Sequence, residues 1–198
     1  MIVLAVGGKF APRSAAELVE HARAHPGLAY TGGVSGSPMH VLGEQFRHAI
    51  GAELVNVPFK GVAQAVTAVI GGQLNVIWMP TSGNLQHFRS GALRALATSA
   101  PLRASPMPEV PTMRELGFDD IEAVAWFGMF APLRTPGPIV MRLNRAINQV
   151  LAAPAVRDNL VAAGYSPAGG PPEALHEQIR VDDARYRRLV ARLKLAEE

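Results

Sequence analysis

The chain has 198 residues, of which 48% are hydrophobic, and a formal net charge of +3. This length and composition predict a globular protein with a sizeable core, in one large or two small domains. The absence of cysteine excludes disulfides, thiolate metal sites and cysteine nucleophiles. Positive charge is dense only from Arg180 to Lys194. We interpret that stretch as a solvated helix face, so no nucleic-acid partner is expected.

The first predicted element is an apolar strand from Ile2 to Val6. This segment is too short to span a membrane, and it lacks the basic flank and cleavage site of a signal peptide. A cytoplasmic location is therefore expected if Met1 is the true start, and a missing upstream segment is the alternative. Next, the capping box Ser14-Ala15-Ala16-Glu17 predicts a helix that continues to about Ala24.

The stretch from Leu28 to Ile50 predicts a strand, a glycine-rich loop and a helix. The loop glycines Gly32, Gly33 and Gly36 alternate with hydroxyl side chains, and glycine lets the backbone turn and approach a ligand closely. The first amides of the following helix lack internal partners and lie at the positive end of its dipole. This loop is therefore expected to hold an anion, and our hypothesis is a carboxylate.

Two further strand-loop-helix units follow. The strand from Leu54 to Val57 leads through Pro58-Phe59-Lys60-Gly61 into a helix from Val62 to Ile70. The strand from Leu74 to Met79 leads through Pro80-Thr81-Ser82 into a short helix.

A further strand is predicted from Leu93 to Thr98. Alternating strands and helices of these lengths predict a parallel or mixed sheet with helices on both faces. Ligands bind such sheets at the carboxyl ends of the strands, so the three loops are expected to converge on one edge.

The remainder of the chain predicts a second capping box, one strand and three helices. These elements are the box Thr112-Met113-Arg114-Glu115, a long apolar strand from Ile121 to Ala131, and helices after Thr135-Pro136, from Ala155 to Ala163 and from Glu173 to Leu193. The first of these helices is expected to turn Ile139, Leu143, Ile147 and Val150 inward. Within the strand, Trp126 and Phe127 are expected in the core, with a ligand-cleft wall as the alternative.

Several chemistry motifs are absent. Gly33-Val34-Ser35-Gly36-Ser37 has serine where a nucleophile elbow requires its last glycine, and no phosphate-binding or dinucleotide-binding glycine pattern occurs. His21 and His25 are four residues apart but have no third ligand at metal spacing, so no metal and no cofactor are expected.

Two polar residues keep alternative interpretations open. His40, just inside the helix after the glycine loop, is either bonded to backbone or a donor to a bound carboxylate. Lys60, beside Gly61 at a helix start, is either an ordinary exposed lysine or extra positive charge for the anion site.

Six ordered segments resemble the substrate-binding receptors of tripartite tricarboxylate transporters, the Bug family. They are Tyr30-Thr31-Gly32-Gly33 with Gly36-Ser37 and His40, Val57-Pro58-Phe59-Lys60-Gly61, Gly71-Gly72-Gln73-Leu74-Asn75-Val76, Leu93-Arg94-Ala95-Leu96-Ala97, Pro108-Glu109-Val110-Pro111-Thr112, and Ala125-Trp126-Phe127-Gly128 with Ala131-Pro132. Together they span nearly the whole chain.

The resemblance implies a type II-like periplasmic binding protein, in which two α/β lobes close on a small carboxylate without catalysis. It implies one complete lobe over residues 9–124, a crossing strand over residues 1–8, and the C-terminal part of the other lobe over residues 125–198. The implied ligand-binding residues are Thr31, Gly33, Ser35, Gly36, Ser37, His40, Lys60, Gly61, Pro80, Thr81, Ser82 and Trp126. The implied partners are the carboxylate and the membrane components of the transporter.

The sequence also departs from the family pattern. Family members begin with an export signal and an N-terminal half-lobe, to which nothing in this sequence corresponds. We therefore expect a shortened protein that exposes the apolar faces of residues 126–131 and of the Ile139 helix, and hence self-associates. The alternatives to a receptor are a non-binding remnant and, with less support, an anion-binding transferase.

Overall fold

The computed structural model describes residues 1–103 and 106–193. The strands are β1 (Ile2–Gly7), β2 (Leu28–Thr31), β3 (Leu54–Asn56), β4 (Val76–Pro80) and β5 (Leu93–Thr98). The helices are α1 (Ala15–Ala24), α2 (Pro38–Ile50), α3 (Val62–Ile70), α4 (Leu85–Arg89), α5 (Gly137–Ala152), α6 (Pro154–Ala162) and α7 (Pro172–Leu193). A 3₁₀ turn covers Arg114–Leu116. The strands and helices predicted up to Thr98 are confirmed, although β4 begins at Val76 rather than Leu74.

The five strands form one mixed sheet in the order β3-β2-β4-β1-β5. Strand β2 runs parallel to β3 and β4, whereas β1 is antiparallel to β4 and β5. The carboxyl ends of β2, β3, β4 and β5 therefore lie at one edge, together with the start of β1, because Ile2 pairs with Pro80. The predicted convergence of the three loops on one edge is confirmed.

Alternating side chains divide the core into two layers, one on each face of the sheet. On one face, Leu4, Tyr30 and Trp78 pack with Leu42 and Phe46 of α2. The other face is covered by α3 and carries the residues Val3, Ala5, Ala65, Val66 and Met79. Because β1 contributes to both layers, all six of its residues are buried. The arrangement is the α/β layer structure that the sequence predicts.

The two predicted capping boxes form to different extents, because the Glu17 carboxylate accepts from Arg13 N at 2.9 Å rather than from Ser14 N. Ser14 Oγ accepts a hydrogen bond from Glu17 N at 3.1 Å. Thr112 and Glu115 cap each other, since Thr112 N donates to Glu115 Oε2 at 2.7 Å and Glu115 N donates to Thr112 Oγ1 at 3.1 Å. The N–H of Thr112 and the Arg103 guanidinium hold the pKa of the Glu115 carboxyl below its usual range.

The predicted strand from Ile121 to Ala131 is wrong. The backbone of Ala123 still donates to Ser99 O at 2.9 Å, but residues 124–131 have neither strand nor helix. A strand needs a neighbouring backbone to pair with, and the described residues offer none beyond Ala123. The expected core positions fail as well, because Phe127 is 77% exposed and Trp126 37% exposed.

The three C-terminal helices are confirmed, but the predicted inward face of α5 is wrong. Leu143 is 49% exposed and Val150 54% exposed, and no residue of α5 is buried. Helix α5 packs against α6, which has no buried residue either. Helix α7 lies against α2, and Leu189 is the buried residue of α7. Within residues 1–103 and 106–193, no helix has both the length and the hydrophobicity that a membrane crossing requires.

Candidate functional site

The glycine-rich loop joins the end of β2 to the start of α2, as predicted. Gly33 and Gly36 have φ angles of 74° and 78°, a left-handed conformation that glycine adopts without steric cost. Gly32 is needed for a different reason, since a Cβ atom there would lie 2.5 Å from His40 Cα. The loop therefore folds tightly back on the first turn of α2.

Three polar side chains hold the loop in this shape. The buried Thr31 accepts from Gly33 N at 3.2 Å through its hydroxyl. Ser37, the N-cap of α2, donates from Oγ to Gly32 O at 2.7 Å and accepts from His40 N at 3.3 Å. From the neighbouring strand, Asn56 Oδ1 accepts from Gly32 N at 3.0 Å. These bonds fix the loop before any ligand arrives.

The structure shows a backbone bond for His40, while its donation to a bound carboxylate stays a prediction. Its Nδ1 accepts a hydrogen bond from Gly36 N at 3.0 Å, which is the backbone bond of the first interpretation. In the neutral imidazole this bond places the proton on Nε2. In the described part of the chain Nε2 has no partner, so it remains a donor for a ligand.

The free donors of the loop are not the glycine amides. The N–H groups of Gly32, Gly33 and Gly36 donate to Asn56, Thr31 and His40. The N–H groups of Val34, Ser35 and Met39 donate to no other described residue, and the first two residues are exposed. The Met39 amide lies in the first turn of α2, at the positive end of the helix dipole, where an anion is favoured, and Val34 and Ser35 lie in the loop before the N-cap Ser37.

The loop after β3 lies directly beside the glycine loop. Phe59 N donates to Gly33 O at 3.4 Å and joins the two loops. Lys60 is exposed, and Gly61 is the N-cap of α3 with no side-chain cap. The structure thus brings Lys60 and Gly61 to the same edge as the glycine loop.

The loop after β4 occupies the other side of β2. Pro80 ends the strand, and the buried Thr81 donates through its backbone N–H to Met1 O at 3.0 Å. Asn84 Nδ2 donates to Ser82 O at 3.0 Å, and Gly83 N donates to Ala163 O at 3.1 Å. Pro80, Thr81 and Ser82 therefore share the edge, although the Thr81 hydroxyl faces the protein.

Trp126 is hydrogen-bonded to helix α7. Its indole Nε1 donates to Asp182 Oδ2 of α7 at 2.7 Å, and no hydrogen bond joins it to the three loops in the described residues. A ligand-binding role for Trp126 stays a prediction.

Metal ligands do not converge in the described residues, because no three His, Asp or Glu side chains form a group. The His21 and His25 rings are stacked with centroids 4.1 Å apart, and Phe10 packs edge-on against His21. Partial burial and the neighbouring His25 lower the pKa of His21. The histidine pair is thus a packed feature of the α1 terminus.

Two residues of the site escaped the sequence analysis. Gly32 was noted only as one of several loop glycines, and its contact with the α2 backbone has no signal in the sequence. Asn56 ends β3 between two valines, and the one available signal was a polar residue at the carboxyl end of a strand.

Comparison with known proteins places this geometry in a family. The model of the protein family described as "Tripartite tricarboxylate transporter family receptor" matches residues 1–195 of this chain. Protein BugT of Bordetella pertussis is 36% identical over 173 residues, which are 87% of this chain and 53% of that protein. A protein of Pseudomonas sp. strain P51 is 31% identical over 92% of this chain and 55% of its own length. The chain thus spans about half the length of these curated relatives.

Solved structures with the same fold extend the comparison. The periplasmic binding protein BugD superposes with a TM-score of 0.90 at 26% identity, over 100% of this chain and 67% of BugD. An R. palustris protein with adipate has a TM-score of 0.91 and 28% identity, over 98% of this chain and 66% of that protein. MatC from Rhodopseudomonas palustris with bound malate has a TM-score of 0.83 and 26% identity, over 96% of this chain and 66% of MatC.

These relatives confirm the periplasmic-binding-protein fold that the resemblance implied. They are receptors and binding proteins rather than enzymes. From the match over residues 1–195, the chain belongs to the family of tripartite tricarboxylate transporter receptors.

Proposed function

We propose that this chain is the ligand-binding part of a receptor that captures a small carboxylate for the membrane components of a tripartite tricarboxylate-type transporter. The observation that carries the proposal is a group of donors in the glycine loop and the first turn of α2 that have no partner within residues 1–103 and 106–193. It combines the Val34, Ser35 and Met39 amides with Nε2 of His40. A carboxylate accepts hydrogen bonds through both oxygens and carries the charge that a helix N-terminus favours.

Neighbouring groups strengthen the proposed site. Lys60 adds a positive charge next to the glycine loop, and the start of α3 after Gly61 adds a second set of unpartnered amides. The carboxylates in two structural neighbours, adipate and malate, support the same ligand class. Dicarboxylates, tricarboxylates, amino acids and aromatic acids all present the required group, and their capture needs no cofactor.

The proposal extends to location and domain organisation. A periplasmic location is supported by neighbours such as BugD, which is a periplasmic binding protein. The sheet formed by β1 to β5 supports a ligand-binding lobe over residues 9–124 with residues 1–8 as the crossing strand. Residues 125–198 are proposed to be the C-terminal part of the other lobe.

The test is thermal unfolding in a panel of succinate, glutarate, malate, adipate and benzoate. A ligand that binds only the folded state raises its stability by mass action, so at least one acid is expected to raise the melting temperature with saturation. No shift with any acid would contradict carboxylate binding by this chain.

Variants of His40 separate its two roles. In His40→Asn, a side-chain oxygen takes the place of Nδ1 and keeps an acceptor for Gly36 N, while the reach of Nε2 is lost. The expected result is an unchanged melting temperature without acid and a smaller shift with acid. His48→Ala is the matched control, because His48 is exposed at the opposite end of the same helix.

A non-binding remnant is the second candidate. It is favoured by α5, which has the apolar spacing of a packed helix but no buried residue. A remnant predicts no response to any acid in the panel, together with low resistance of residues 124–193 to limited proteolysis.

We also propose that the chain associates with itself. Phe127, Met129, Phe130 and Leu133 are exposed together with the apolar side of α5. Large exposed apolar patches favour association. A second copy of the chain is the partner present in any purified sample, and it carries the same apolar surface.

A further inference from the structure

Asn56 connects two elements of the candidate site. It is the last residue of β3 and pairs in register with Tyr30 of β2. Since side chains alternate along a strand, Asn56 lies on the same face of the sheet as the buried Leu54, the face that α2 covers. The exposed Val55 between them points to the opposite face.

The hydrogen bond of Asn56 determines the orientation of its amide. Gly32 N–H is a donor, so the atom of Asn56 that faces it at 3.0 Å must be the acceptor Oδ1. The amide is planar, and Nδ2 is consequently directed away from Gly32. In the described chain Nδ2 has no partner, although the side chain is only half-buried and can reach a ligand.

The position of Gly32 places this amide next to the free donors of the loop. Gly32 lies against the backbone of His40, because a Cβ atom built on Gly32 would lie 2.6 Å from His40 N. Asn56 Oδ1 is 3.0 Å from Gly32 N, so its amide lies at the first turn of α2. A ligand held there by the α2 amides lies beside Nδ2.

We propose that Asn56 both positions the glycine loop and selects for a carboxylate: Oδ1 fixes Gly32, and Nδ2 donates to a ligand oxygen. This inference rests on the proposed function. An –NH₂ group can only donate, so it favours a group with acceptor oxygens such as a carboxylate over an ammonium, which has no acceptor. The Gly32 bond holds the amide in that orientation whether or not a ligand is present.

Asn56→Asp separates the two roles. Aspartate keeps an oxygen for Gly32 N–H but replaces the donor Nδ2 with a second anionic oxygen. Val55→Asp is the matched control, because it adds the same charge one residue away on the opposite face of the sheet. Succinate and glutarate are the probes, with affinity measured by isothermal titration calorimetry on the full chain.

Asn56→Asp is expected to bind the same acid at least about tenfold more weakly than the unmodified chain. The variant loses one hydrogen bond to a charged group, and its carboxylate repels the carboxylate of the ligand. Val55→Asp is expected to bind within about threefold of the unmodified chain, since an exposed charge on the other face is screened. Equal affinity of the two aspartate variants would overturn the donor role of Nδ2.

A measurement without ligand tests the positioning role separately. Asn56→Ala is expected to speed hydrogen exchange of the Gly32 amide, whereas Asn56→Asp leaves it slow. Unchanged exchange in Asn56→Ala would overturn the inference even if no acid bound. Slow exchange in the unmodified chain without binding of any acid of the thermal-unfolding panel would instead contradict the proposed function.

Discussion

Substitution of Gly32 by alanine tests how the glycine loop is built. A Cβ atom at this position would lie 2.5 Å from His40 Cα, 2.6 Å from His40 N and 2.7 Å from Met39 C. All three are atoms of the main chain, so no side-chain rotation can relieve the contact. The loop and the first turn of α2 must therefore separate, and this movement disturbs the free amides of Val34, Ser35 and Met39.

The cost is estimated from overpacking in folded proteins. Forcing an extra carbon into a filled space costs about 1–3 kcal/mol, and the backbone contacts here favour the upper end. Gly32→Ala is thus expected to lower the free energy of unfolding by about 2–3 kcal/mol. It is also expected to abolish stabilisation by any bound acid, because the loop and the first turn of α2 no longer keep their relative positions.

Two other glycines of the same edge are the controls. At Gly36 a Cβ atom meets nothing within 4 Å, but φ is +78°, so Gly36→Ala is expected to cost about 1–2 kcal/mol of backbone strain. At Gly61 the space is open and φ is −162°, so Gly61→Ala is expected to change stability by less than about 1 kcal/mol. Urea unfolding of the three variants measures these differences, and equal stability of Gly32→Ala and Gly61→Ala would refute the reasoning.

Three further predictions concern the core and the exposed surface. Tyr30→Phe removes the bond from the buried phenol to Glu44 Oε1 and is expected to cost about 1 kcal/mol at pH 7. Burial and Glu44 raise the pKa of Tyr30, so this contribution is present below the unfolded pKa, near 10, and is expected to shrink as the pH rises above it. Ser99→Ala removes a buried hydroxyl that donates to Ala123 O at 2.7 Å, and is expected to lower the free energy of unfolding by about 1–3 kcal/mol. Phe130→Glu places a charge in the exposed apolar patch and is expected to reduce self-association in sedimentation velocity runs.

Each of these predictions has an outcome that would contradict it, and the last two also have a control variant. If the difference in the free energy of unfolding between the unmodified chain and Tyr30→Phe stays constant from pH 8 to pH 11, the expected pH dependence of the Tyr30 contribution is contradicted. Ser90→Ala removes an exposed hydroxyl and is expected to have little effect, so similar losses at Ser90 and Ser99 would refute the role of the buried bond. Leu102→Glu alters an exposed leucine outside the patch, and an equal effect on sedimentation would mean that the patch is not the contact surface.

The strand-loop-helix units could be predicted because their signals are local. Glycines, caps and apolar spacing all lie within a few residues of the boundaries they set, as at Ser37 and Gly61. The same reasoning failed at residues 124–131 and on α5. Apolar spacing shows which side of an element can be buried, but burial itself depends on a neighbouring element.

The details of the site depended on contacts that are distant in sequence. The chain separates Asn56 from Gly32 by 24 residues, and the amides that remain free are those left over after Thr31, Asn56 and His40 have used the glycine N–H groups. Sequence reasoning could place an anion at this loop from the helix terminus alone. It could not tell which donors the loop itself consumes.

The central claim is that the loop between β2 and α2 binds a carboxylate through its free amides. Titration of the ¹⁵N-labelled chain with succinate, glutarate, malate and adipate, followed by amide chemical shifts, tests it most directly. Saturable changes that are largest at the amides of Val34, Ser35 and Met39 are expected. No saturable change at these three amides with any of the acids, or changes confined to other parts of the chain, would contradict it.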